Sequence, residues 1–213
     1  METVKSPAEH RVILHNASWE TYERLMDERG ERGVPRFAYD RGELEIMSPS
    51  TEHESAAYFL ELLVAVCSEE MGINVYGVRS TTFKREDIDR GFEPDASFYV
   101  RNEGLVRGRR RIDLDSDPPP DLVVEVDITS PSLNKFPIYA RIGVPEIWRY
   151  DGERVSVFVL RDGEYAAVAE SAALPPISGP VLTRFVEASR STGSAAWMRE
   201  VRGWARDHVR PSN

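Results

Sequence analysis

Asp95, Glu125 and Lys135 are the residues whose types and spacing could do chemistry together. Asp95 lies in "GFEPDASFYV" and Glu125 in "PPPDLVVEVDITSPS", two segments that read as strands, and Lys135 opens the segment that follows. A carboxylate set into an apolar strand is costly unless it meets a cation, a proton or a hydrogen-bonding partner. Two acids from neighbouring strands, with a backbone carbonyl, form the hard-oxygen site that Mg²⁺ or Mn²⁺ takes. Lys135, in the first turn of a helix, is placed to reach over the strand end to the same point. Together they match the Asp…Glu-x-Lys pattern of metal-dependent phosphodiester chemistry. The competing reading is structural: acids near strand ends that form salt bridges or cap loops.

Side chains alternate across a strand, so Asp121, Val123, Glu125 and Asp127 share one face. Leu122, Val124 and Val126 share the other and are expected to pack beneath helices. The strand thus has one packed side and one acidic side that must meet something. The polar connection from Asn102 to Pro119 is long enough to join this strand to the one beginning near Asp95.

The elements that must position these residues follow from pattern. Ser18 is a candidate N-cap for a helix through Arg29, ended by Gly30. "RFAYDRGELEIMSP" reads as a hairpin turning at Asp40–Gly42. A helix spans about Thr51 to Met71, with Thr51-x-x-Glu54 as a capping box, Gly72 at its end, and Ala56, Phe59, Leu60, Leu63 and Cys67 on one apolar face. "INVYGVRSTTFK", "PDASFYV" and "DLVVEVDI" are strand candidates, and a helix over about Lys135–Ile142 stops at Gly143. "PEIWRYD", "RVSVFVL" and "EYAAVAE" form a meander with Asp151-Gly152 and Asp162-Gly163 turns. Two helical stretches close the chain. This order predicts an α/β or α+β domain with a mixed central sheet flanked by helices.

The 213 residues suit one domain, with 1–17 and 190–213 as peripheral extensions. Apolar residues make up 41% and charged residues 30%, an ordinary globular balance. No apolar run reaches the roughly 18 residues of a membrane span, and no signal-peptide core stands at the N-terminus. The single Cys67 excludes an internal disulfide and fits a reducing cytoplasm; on its apolar face it reads as a small buried hydrophobe. A net charge of −9 argues against coating nucleic acid non-specifically but leaves room for a local basic surface.

"GELEIMSPSTEHE", "STTFKRED", "GFEPDASFYV", "PPPDLVVEVDITSPS" and "IYARIGVPEIWRYDG" together resemble the Uma2 family, from about Ser18 to Glu187. The resemblance implies a PD-(D/E)XK nuclease of restriction-endonuclease-like core, an Mg²⁺- or Mn²⁺-dependent endonuclease acting on DNA. Carried over by position, the first acid is Asp95, the second Glu125, and Val126 lends its carbonyl to the metal. The usual lysine position holds Asp127 instead, so the lysine role falls on Lys135, with Asp127 as a further ligand or as a partner of Lys135. The resemblance places Glu45, His53 and Glu54 near the same cleft, Glu45 as a catalytic residue and His53 and Glu54 as substrate contacts, against the plainer roles of a solvent-facing strand residue, a helix-start surface residue and a helix cap.

Arg109 and Arg110, in "VRGRRR", either touch phosphates or form a solvated basic loop. Lys84 and Arg85 are expected to pair with Glu86 and Asp87, and Trp148, Tyr150 and Phe158 to fill the core or a dimer contact. A catalytically silent binding or assembly module of the same fold is the alternative to the enzyme, and a homodimer would present two sites to a duplex. A serine or cysteine hydrolase lacks support, because none of the four histidines stands in a nucleophile–base motif.

Overall fold

The computed structural model describes residues 9–30, 32–128 and 133–208. In chain order its elements are β1 (His10–Leu14), α1 (Trp19–Arg29), β2 (Arg36–Asp40), β3 (Glu43–Ser48), α2 (Thr51–Met71), β4 (Tyr76–Gly77), β5 (Phe83–Arg85), β6 (Arg90–Phe92) and β7 (Ala96–Tyr99). There follow α3 (Glu103–Val106), β8 (Leu122–Val126), α4 (Phe136–Ile142), β9 (Glu146–Tyr150), β10 (Val155–Arg161), β11 (Glu164–Val168), α5 (Gly179–Ser189) and α6 (Ser194–His208).

The fold is α+β, and its mixed sheet has six strands in the order β11-β10-β9-β8-β7-β4. Among the described residues only β8 and β9 run parallel, and α4 is the helix that carries the chain between them. A second, antiparallel sheet adds five strands in the order β1-β3-β2-β6-β5. The predicted strand "INVYGVRSTTFK" is split: β4 edges the mixed sheet, while β5 edges the antiparallel one. The short strands β1 and β6 carry little alternation and were outside the sequence expectation.

Strand β8 is buried from end to end. Leu122, Val124 and Val126 pack with Leu60, Leu63 and Cys67 of α2 and with Trp148 and Tyr150 of β9. Phe185 of α5 and Trp197 of α6 belong to the same core. Val123, on the opposite face, packs with Ile138 and Tyr139 of α4 and with Phe83 and Phe92 of the antiparallel sheet. The acidic face of β8 is therefore also covered, as a strand with a parallel neighbour normally is. Trp148 and Tyr150 fill the core as expected, and Cys67 is a buried hydrophobe.

Helix boundaries follow their caps. Ser18 Oγ accepts the N–H of Thr21, and Gly30 ends α1 at positive φ. The cap of α2 is Ser50, not Thr51: Ser50 Oγ accepts the His53 N–H at 3.2 Å, and the Glu54 carboxylate turns instead to Arg36 at 2.7 Å. Gly143 closes α4 in the left-handed region, where a side chain would strain the backbone. The segments expected at the periphery contribute to the body of the fold. β1 pairs along its length with β3, and Trp197, Val201 and Ala205 of α6 are fully buried.

Candidate active site

Strands β7 and β8 pair as far as Ala96 opposite Val124, and Asp95 and Glu125 are the residues next to that last pair. Both carboxylates are buried, Asp95 at 3% exposure and Glu125 at 5%. Three hydrogen bonds fix Asp95. Its Oδ2 accepts the Val126 N–H at 2.6 Å, and its Oδ1 accepts from His53 Nε2 at 2.6 Å and from Arg36 Nη1.

Glu125 is held from α4. Lys135 Nζ donates to its Oε2 at 2.7 Å, and the Tyr139 hydroxyl donates to its Oε1. Lys135 and Tyr139 stand one helical turn apart and so share a face. The Lys135 ammonium also lies 3.8 Å from Glu45 Oε1, reaching the antiparallel sheet. Glu45 in turn accepts the Leu133 N–H at 2.8 Å and Arg11 Nη1 at 3.2 Å. One ammonium therefore bridges acids from two sheets.

Behind these residues the network continues. His53 is fully buried, with Nδ1 on Glu9 and Nε2 on Asp95. Arg11 binds Glu9 at 2.9 Å and approaches Asp127 Oδ1 at 3.3 Å. Asp127 Oδ2 holds Arg149 Nη2 at 2.7 Å.

The charges set the proton affinities. Burial pulls the His53 imidazolium down, but the Asp95 charge and the bonds to Asp95 and Glu9 outweigh it and raise its pKa to about 9. Burial pushes the Asp95 carboxyl up, yet His53, Arg36 and Lys135 bring it well below the usual carboxylate range. Glu125 moves the other way: burial and the Asp95 charge raise it despite Lys135 and Tyr139. For Lys135, burial opposes the charge while Glu125, Glu45 and Asp95 favour it, and the ammonium is held above its ordinary pKa.

The structure thus brings Asp95, Glu125, Lys135 and Glu45 together, with Val126 touching Asp95 through its N–H. Asp127 does not hold Lys135. Among the described residues it pairs with Arg11 and Arg149, because it lies past the end of β8 beside β9, while Lys135 turns to Glu125 and Glu45. His53, proposed as a substrate contact with a helix-start surface residue as its plainer role, is sealed in the interior, so it cannot meet a substrate. Glu54 is half-exposed and bound to Arg36.

Arg109 and Arg110 line a different cavity of about 830 Å³, together with Trp19, Tyr76 and Lys84, and Arg109 stands 3.5 Å from Asp117. That cavity shares no lining residue with the one beside the acids, so the structure does not bring these arginines to the carboxylates. Arg85 pairs with Asp87 as expected, whereas Lys84 reaches Glu23 of α1.

Sequence reasoning missed Glu9, Arg11, Arg36, Tyr139 and Arg149. Only Tyr139 carried a local signal, its spacing of four from Lys135. A cavity of about 390 Å³ opens beside the site, lined by Glu125, Lys135, Tyr139, Asp127, Arg11 and Arg149 among others.

The donor chemistry suits a small hard cation. A carboxylate offers about four lone-pair sites. Asp95 uses three and Glu125 two, so acceptor capacity remains on both. Among the described residues no three His, Cys, Asp or Glu side chains gather as a ready metal cluster.

Among solved structures, the crystal structure of "a putative nuclease belonging to DUF820" from Anabaena variabilis ATCC 29413 aligns with TM-score 0.47 and 18% identity, covering 80% of this chain and 92% of that one. No curated protein matches the chain. The family model Uma2, described as "Putative restriction endonuclease", matches residues 19–187, and with most of its length accounted for in this way the chain belongs to the Uma2 family.

Proposed function

We propose that this protein is a nuclease that hydrolyses phosphodiester bonds of DNA with Mg²⁺ or Mn²⁺ at Asp95 and Glu125. The family description supports nuclease chemistry. The observation that carries the finer reading is the Asp95 carboxylate bonded to the Val126 N–H, beside Glu125, with the Lys135 ammonium against Glu125 and near Glu45. The Val126 carbonyl is the third ligand in this reading. The N–H and C=O of one strand residue leave on the same edge, and the Val126 N–H already points to Asp95.

A divalent ion bound there would polarise a phosphate oxygen and lower the pKa of a water. The protein's own groups do the positioning. Arg36 and His53 keep Asp95 ionised and aimed. Tyr139 fixes one oxygen of Glu125. Lys135, held charged by three acids, donates to the phosphoryl oxygens as negative charge builds there, the kind of contact worth about 10²–10³ in rate. Water attacks phosphorus in line as the bond to the leaving sugar oxygen breaks.

The second reading, a binding module without catalysis, draws on the charge balance. Among the described residues Glu9, Glu45, Asp95, Glu125 and Asp127 are matched by Arg11, Arg36, His53, Lys135 and Arg149.

Nicking of supercoiled plasmid separates the two. Cleavage should need Mg²⁺ or Mn²⁺, stop with a chelator, and fall by about 10²-fold or more in Asp95→Asn and Glu125→Gln. Cleavage that survives both variants, or a folded protein inert with either metal, overturns the nuclease.

A further inference from the structure

Three cationic side chains line the cavity beside the acids. Arg11, Lys135 and Arg149 line it against Glu125 and Asp127, although the chain's net charge is −9. In the larger cavity, Lys84 and the three arginines 109–111 face an equal number of acids, Glu23, Glu86, Asp113 and Asp115. In the smaller one Arg11 is engaged by Glu9 and Glu45 and Lys135 by Glu125 and Glu45, which leaves Arg149 as the cation with exposed capacity for an anion.

Within it Arg149 is singled out by register and exposure. The parallel ladder pairs Glu125 with Arg149, so its side chain leaves β9 on the acidic face. Arg11 is 6% exposed and locked between Glu9 and Glu45, whereas the Arg149 side chain is 41% exposed. Among the described residues its hydrogen bond is the single one from Nη2 to Asp127. A guanidinium has five N–H donors in a planar fork, so most of its capacity faces the cavity, in the geometry that suits two phosphate oxygens at once.

We propose that Arg149 is the phosphate-gripping arm of this site: it binds a backbone phosphate of the nucleic-acid strand next to the bond at Glu125 and Lys135, and Asp127 orients it. The proposal deepens the nuclease reading and rests on it. Asp127 sets the plane of the guanidinium through one edge, and the strand engages the other.

The test uses the full chain and a labelled DNA duplex, followed by fluorescence anisotropy from 50 to 200 mM salt. It is run in EDTA and again with Ca²⁺, and a gel confirms that the duplex stays intact. Losing one phosphate contact lowers the slope of log K against log salt by about one. Arg149→Ala and Arg149→Gln should both show that drop, with affinity at the lowest salt reduced about tenfold and thermal midpoints unchanged. Arg149→Lys should keep the slope but not the full affinity, because an ammonium cannot make the two-oxygen grip. Wild-type binding with unaltered slope and affinity in the Ala and Gln variants overturns the role of Arg149 and leaves the nuclease reading standing. A wild-type chain that shows no salt-dependent DNA binding in either condition overturns both.

Discussion

His53 Nε2 lies 2.6 Å from Asp95 Oδ1, and neither side chain has meaningful access to water. The residues are 42 positions apart, one in the first turn of α2 and the other beside the first residue of β7. The contact ties the long helix to the edge of the mixed sheet where the acids converge. His53 also bonds Glu9, so one imidazolium compensates two buried carboxylates.

Removing that imidazolium should cost more than an ordinary cavity. His53→Ala leaves Glu9 and Asp95 buried without it, and breaking a buried pair typically costs about 3–5 kcal/mol. Urea unfolding should show the loss, with His53→Gln retaining part of it through its amide. A midpoint within error of wild type for the alanine variant would contradict the network.

The same group sets an alkaline limit on stability. Its pKa is raised from about 6.5 in an unfolded chain to about 9 in the fold. Its contribution is therefore complete below about 6.5 and is lost as pH rises through about 9. Asp95 works on the acid side: its pKa is depressed to about 2, so its contribution holds above about 3.9 and is lost as pH falls through about 2. Denaturation midpoints from pH 5 to 10 should fall at the alkaline end, and His53→Gln should flatten that fall.

Tyr139 should matter through Glu125. Its hydroxyl donates to a buried carboxylate, a hydrogen bond to a charged group worth about 1.5–3 kcal/mol. Tyr139→Phe removes one oxygen and leaves the ring packed against Phe92 at 4.5 Å. Chemical denaturation should report a loss in that range, and circular dichroism should report an unchanged fold.

Lys135→Met tests the ammonium with a side chain of similar length. Cleavage of plasmid should fall by about 10²–10³-fold. The variant also strands Glu125, so its stability should drop even though the apolar stem still packs. Full cleavage by a stable Lys135→Met protein would remove the lysine from the chemistry.

Gly91 of β6 offers a packing test away from charge. A Cβ there would lie 2.9 Å from Tyr22 Cζ, and Tyr22 stacks on Tyr39 at 5.1 Å to hold α1 against the antiparallel sheet. Overpacking of this kind costs about 1–3 kcal/mol. Gly91→Ala should lower the thermal midpoint, and Gly91→Ala with Tyr22→Phe should recover part of it, because the hydroxyl is the closest atom.

Local pattern made the long elements legible. α2 and the β9–β11 meander stand where apolar periodicity, Gly72 and the Asp-Gly turns put them, because each bears enough side chains on one face to reveal its period. β1 and β6 did not show themselves, being three to five residues long and held in place by neighbours in a sheet. The acids at 95 and 125 were visible because a carboxylate in an apolar strand is costly and needs a reason. The groups that compensate them were hidden. Glu9, Arg36 and Arg149 look like ordinary surface charges until β1, β2 and β9 carry them inward.

By itself the sequence determined which acids and which lysine stand out, an α/β or α+β domain with a mixed sheet, and the Uma2 membership that its ordered motifs carry. Tertiary structure decided the pairing. It bound Asp95 to the Val126 N–H beside Glu125, gave Lys135 to Glu125 and Glu45 rather than to Asp127, sealed His53 inside, and moved Arg109 and Arg110 to another cavity. The reason is that charge pairing depends on distance through space, and residues dozens of positions apart acquire that distance only when two sheets close over one helix.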